Sequence, residues 1–154
     1  MTFKQQHPEI QQLVRELQLL RTNNLKFKEG DSQDGLLLFA EASLVLLVLE
    51  RFIRAILSDA TDRETLRPLL RRAIERKLIL LPWDDQEDGI GRLVDVRNTI
   101  LHGNYEQAAK QAGCSSVAEY FKTVFASEVE KVYQVVDHLF NQIDANTGQP
   151  IKAN

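Results

Sequence analysis

Residues 36–49 constrain this chain most, because they are apolar throughout except for Glu41 and Ser43. A helix that is apolar nearly all round has no face to give to water, so other elements must enclose it. The run is shorter than the ~20 residues that a membrane span requires. It therefore predicts a core helix over about residues 34–58, at the centre of a helical bundle in a cytoplasmic protein that does not enter the membrane.

The rest of the chain supplies helices to surround it. Pro8 suits a first helical position. Ile10, Leu13, Val14, Leu17 and Leu20 then follow at three-to-four spacing, predicting a helix over residues 8–27. Residues 29–35 read as a loop. Thr61, Asp62, Arg63 and Glu64 have the form of a capping box, so a third helix is expected from Thr61 to about Leu80, kinked or split at Pro68. A fourth is expected over residues 86–101, ended by Gly103 in the left-handed region. A short helix over 105–112 and a long one from the Ser116–Glu119 capping box to about Asp144 complete the count. With no strand-period segment, the expected fold is all-α: an antiparallel bundle of about five helices in a single domain, ordered over about residues 8–144, with a frayed tail from Ala145.

Composition narrows the function. The 154 residues are 44% hydrophobic and 27% charged with a net charge of −3, which suits an ordinary globular protein and not a general nucleic-acid or membrane coat. The start is polar and lacks the apolar core of a signal peptide. One cysteine, Cys114, cannot form an intrachain disulfide; it reads as a small loop residue in a reducing compartment. There is no phosphate-binding glycine loop and no paired metal-ligand motif, and the three histidines are far apart, so no metal or other cofactor is expected.

Residues 95–105 stand out. On a helical wheel Ile90, Leu93, Val94, Val96, Ile100 and Leu101 form one apolar arc, and Arg97 falls inside it. A guanidinium on a burial face needs a partner or a functional cavity. His102 closes the helix, where the backbone dipole favours a cation, and Asn98 shares its face at i, i+4. Glu41, in line with Leu37, Leu44, Val45, Val48 and Phe52, is a buried carboxylate in search of a cation, and Arg97 is the obvious one. A plainer interpretation makes Arg97 a structural ion-pair partner and His102 a helix-capping residue. A basic run completes the set: residues 51–77 hold eight cations against four acids, and Arg63, Arg67 and Arg71 repeat every four residues along a stripe that could contact RNA phosphates or be a solvated face.

The pattern Arg97-Asn98-x-x-x-His102-Gly103-Asn104 resembles the HEPN superfamily (higher eukaryotes and prokaryotes nucleotide-binding), compact helical bundles with an Arg-x4-His motif near the end of a late helix. The resemblance implies a metal-independent endoribonuclease, often a toxin or defence component, acting as a homodimer with its site at the interface. It implies that Arg97 stabilises the phosphate and His102 carries the proton transfers, with Asn98, Tyr105 and Glu41 supporting. Some members are instead non-catalytic dimerisation or nucleotide-binding modules that partner another protein, and a plain structural bundle is a third possibility. In one toxin group a Tyr two residues after the His is modified by a partner nucleotidyltransferase; here Tyr105 follows His102 by three. The expected partners are thus RNA, a second copy of the chain, and an antitoxin or nucleotidyltransferase.

Overall fold

The computed structural model describes residues 3–27 and 34–143; most of the expected 29–35 loop and the tail from Ala145 lie outside the described residues. What is described is helical, with no β-strand. The elements are α1 (Phe3–Gln6), α2 (Pro8–Phe27), α3 (Asp34–Leu57), α4 (Leu66–Glu75), α5 (Gln86–His102), α6 (Tyr105–Gln111), α7 (Val117–Tyr120) and α8 (Ala126–Gln142). A π-helical turn, Phe121–Phe125, joins α7 to α8 without a break. No described helix is long and apolar enough to cross a membrane.

The central position of α3 follows from its composition. Ala42, Val45, Leu46, Val48, Leu49, Phe52, Ile53 and Leu57 are all buried, and α2, α4, α5 and α8 pack around them. Side-chain contacts fix the helix directions. Phe3, just before α2, meets Phe52 at 5.1 Å and Phe140 at 6.0 Å between ring centroids, while Arg21 near the other end of α2 reaches Glu130. Hence α2 runs opposite to both α3 and α8. Glu50 meets Arg97, and Phe39 meets Tyr105 just beyond α5, so α5 also opposes α3. Consecutive long helices therefore alternate in direction, with α4 lying in the connection from α3 to α5 and α6 and α7 in that from α5 to α8.

The third helix departs from the sequence expectation at both ends. It begins at Leu66 with Thr65 as N-cap, not at Thr61. Thr61 and Glu64 form a separate turn, in which the Thr61 N–H donates to Glu64 Oε2 at 2.8 Å. Pro68 accordingly sits in the first turn of α4, where no N–H has a partner within the helix, and it neither kinks nor splits it. The helix stops at Glu75 because Lys77 turns to φ 59° and the Leu78 N–H closes on Ala73 O at 3.0 Å. Ile79 and Leu81, which look like a continuation of the helix, are buried from irregular backbone instead.

That irregular segment positions α5. Asp85 caps the helix, accepting from the N–H groups of Glu87 and Asp88. Gly89, in its first turn, lies so close to Trp83 that an added Cβ would come within 2.6 Å of the indole ring. Gly103 (φ 61°) ends α5 in the left-handed conformation expected of it. Ser116 caps α7 as expected, accepting from Glu119 N at 3.1 Å; the Glu119 carboxylate reaches back to Ser115 and not to Ser116 itself.

Candidate functional site

Arg97 and Glu50 form the charged centre of the α3–α5 seam. Arg97 Nε donates to Glu50 Oε1 at 2.7 Å, and the two side chains are 26% and 21% exposed. Arg97 therefore has a cation's partner on a burial face, as its position demanded, but that partner is Glu50 and not Glu41. Glu41 lies nine residues earlier on α3, about 13 Å along the helix axis. The pair is held by a single hydrogen bond. The buried side-chain polar atoms without a partner among the described residues are Arg72 Nε, Tyr105 OH and Tyr133 OH. Glu50 Oε2 and both terminal nitrogens of Arg97 are outside that set and make no further hydrogen bond among the described residues, so they reach solvent.

Glu41 is buried as expected, at 5% exposure, in a different cluster. Arg21 of α2 lies over the Tyr133 ring at 3.9 Å and pairs through both oxygens with Glu130 at 2.7 and 3.0 Å. Burial, with the Glu41 carboxylate beside it, pushes the Tyr133 phenol well above its ordinary value. Glu41 thus serves the α2–α3–α8 junction.

His102 and Asn98 are exposed in the last turn of α5. Five residues separate His102 from Arg97, about 140° around the helix, and Leu101 falls between them at about 40° from Arg97. Leu101 is 59% exposed, against its expected place in the buried arc, whereas Ile90, Leu93, Val96 and Ile100 are buried. Leu47 on α3, 39% exposed, lies one turn from Glu50. Each of the two helices thus leaves one leucine uncovered within a turn or so of its charged residue.

Tyr105 turns away from this face. Its ring packs against Phe121 at 4.8 Å and against Phe39 and Phe125 at 6.2 Å each. Burial pushes its phenol up, and its hydroxyl has no partner among the described residues. One edge of Tyr105, with Gly103, Asn104, Glu106, Gln107 and Val117, lines an open cavity of about 480 Å³ next to His102.

The arginine stripe does not form. Arg63 lies in the turn before α4, not on the helix with Arg67 and Arg71. Arg71 is held by both oxygens of Glu87 on α5, at 2.9 and 3.0 Å. Arg72 pairs with Glu64, and Arg76 with both oxygens of Asp59. Arg54 is spent on the backbone carbonyls of Thr61 and Glu64. Three of these arginines are thus tied into ion pairs, and Glu87 supplies an acid from beyond the run.

Sequence reasoning missed Glu50, although a signal for it exists. It stands in line with Leu46, Ile53 and Leu57, all buried, so it too is a carboxylate at the margin of an apolar face. The interruption at Glu41 drew attention because it falls within the apolar run, while Glu50 falls just after it. No three His, Cys, Asp or Glu side chains among the described residues come together as a metal site would require. Comparison of the chain with family models, with curated proteins and with solved structures finds no match.

Proposed function

We propose that this protein is a metal-independent endoribonuclease of the HEPN type, acting in the cytoplasm as a homodimer and serving as a toxin or defence component under an antitoxin or nucleotidyltransferase partner. The observation that carries the proposal is the state of Arg97. It is oriented through Nε alone, its two terminal nitrogens reach solvent, and an exposed histidine follows it by five residues on the same helix. A guanidinium presented by that edge is the geometry that grips a phosphate through two hydrogen bonds.

RNA carries its own nucleophile. The protein has to accept the 2′-OH proton, stabilise charge on the phosphorus oxygens and return a proton to the leaving 5′-oxygen. Arg97 stabilises the phosphate, and the His102 imidazole, which can both accept and donate a proton, carries the proton transfers. Asn98, on the same exposed face, orients the phosphate or the ring. One straight helix cannot aim Arg97 and His102 at a single phosphate across about 140°. A two-fold axis beside α5 removes the difficulty by letting Arg97 of one protomer meet His102 of its partner. Exposed Leu101, lying between them, suits the centre of such a contact.

The test is cleavage of mixed RNAs by the purified protein in EDTA. The expected products end in a 2′,3′-cyclic phosphate, DNA is untouched, and His102→Ala lowers the rate by ~10²–10⁴-fold. A second reading has its own support, in the ion pairs that hold Arg71, Arg72 and Arg76: a non-catalytic dimerisation or nucleotide-binding module needs no phosphate-attracting field. Wild-type protein inert on every RNA, yet dimeric, would favour that module.

A further inference from the structure

We propose that Glu50 is the general base of the reaction, so that the two proton transfers fall to two residues, Glu50 and His102. The inference rests on the ribonuclease reading and divides the labour within its site.

The chemistry asks for two groups. When the 2′-oxygen attacks phosphorus, its proton must leave, and in the same displacement the 5′-oxygen must gain one. A single imidazole cannot serve both ends of an in-line displacement at once, because the attacking and departing oxygens lie on opposite sides of phosphorus. Among the described residues, the titratable side chain in contact with the phosphate-holding arginine is Glu50. Its Oε1 accepts from Arg97 Nε at 2.7 Å, which keeps the carboxylate beside the guanidinium. Its Oε2 makes no hydrogen bond among the described residues and is not among their buried, partnerless atoms. A phosphate gripped by the terminal nitrogens of Arg97 would therefore lie beside a carboxylate oxygen with a free lone pair.

The other candidates fail on position. The Tyr105 hydroxyl is enclosed by Phe39, Phe121 and Phe125. Glu41 belongs to the Arg21–Tyr133 cluster. The step balances as follows. Glu50 Oε2 takes the 2′-OH proton, the bond from O2′ to phosphorus forms, and the bond from phosphorus to O5′ breaks. Protonated His102 of the partner protomer gives its proton to O5′. The products are a 2′,3′-cyclic phosphate and a 5′-hydroxyl, with one proton moved to Glu50 and one taken from His102.

Two substrates separate the roles: a diribonucleotide, and uridine 3′-(4-nitrophenyl phosphate), whose leaving group departs without a proton. His102→Ala is expected to lose ~10²–10⁴-fold in kcat on the diribonucleotide but to stay near wild type on the ester. Glu50→Gln keeps an oxygen for Arg97 Nε and cannot accept the proton, so it is expected to lose a similar factor on both substrates with KM little changed. Circular dichroism and the melting temperature check that each variant folds. A Glu50→Gln protein that matches wild-type kcat on the ester overturns the base role and leaves Glu50 as a residue that only orients Arg97. Wild-type protein inert on both substrates overturns the ribonuclease reading itself, and the role of Glu50 with it.

Discussion

Each polar side chain near the α3–α5 seam is shaped by how much of its hydrogen-bonding capacity the fold uses. Arg97 spends one donor on Glu50 and keeps the rest toward solvent. Tyr105 spends none: its hydroxyl is buried among phenylalanine rings with no partner among the described residues. A hydroxyl removed from water without a compensating bond costs about 1–3 kcal/mol. Tyr105→Phe is therefore expected to leave stability unchanged or to raise it by roughly 1 kcal/mol in urea denaturation, and to leave RNA cleavage at the wild-type rate. A large loss of cleavage in that variant would show that the hydroxyl turns out toward substrate.

At the scale of elements, α4 is attached less by its own cap than by a strap of ion pairs. Thr65 makes no side-chain cap bond, whereas Glu64, in the turn before the helix, bonds Arg72 within it and accepts from Thr61 N. The hydrogen bond from Arg72, with that from the Thr61 backbone, lowers the Glu64 carboxyl from 4.5 to about 2. A lowered carboxyl stabilises the fold fully above its unfolded value and loses that contribution as pH falls through the folded one. The urea midpoint of wild type should thus exceed that of Glu64→Gln by a constant margin above about pH 5, and the margin should close between about pH 4.5 and pH 2. A margin independent of pH would mean that the strap holds α4 by packing alone.

The same elements show what a sequence makes legible. The helices with strong punctuation, α2 after Pro8, α5 before Gly103 and α7 after Ser116, lie where their punctuation puts them. The start of α4 was misplaced because a capping-box pattern also describes a stapled turn, and only the packing of Leu66, Leu69 and Leu70 decides between the two. Its end was misplaced because Lys77 adopts a left-handed conformation that no residue-type rule predicts. In the site, Arg97 was legible as a cation on an apolar arc. Its partner was not, since Glu41 and Glu50 both lie on buried margins of α3 and the register against α5 is set by the whole bundle.

For the whole molecule, the alternating helices pack α5 against α3, α4 and α8 and leave the outward face of its last turns uncovered. Arg97 and Glu50 lie on one side of Leu101, and Asn98 and His102 on the other. On the proposed reading, the working site combines Arg97 and Glu50 of one protomer with His102 of its partner. Mixing inactive variants tests it directly. Arg97→Ala and His102→Ala proteins, each inert alone on RNA in EDTA, are unfolded and refolded together. Random exchange makes half of the dimers mixed, and each mixed dimer holds one intact site of two, so the predicted activity is about a quarter of wild type. Glu50→Gln is predicted to restore activity when mixed with His102→Ala and not when mixed with Arg97→Ala. A refolded mixture as inert as its components would contradict the shared site.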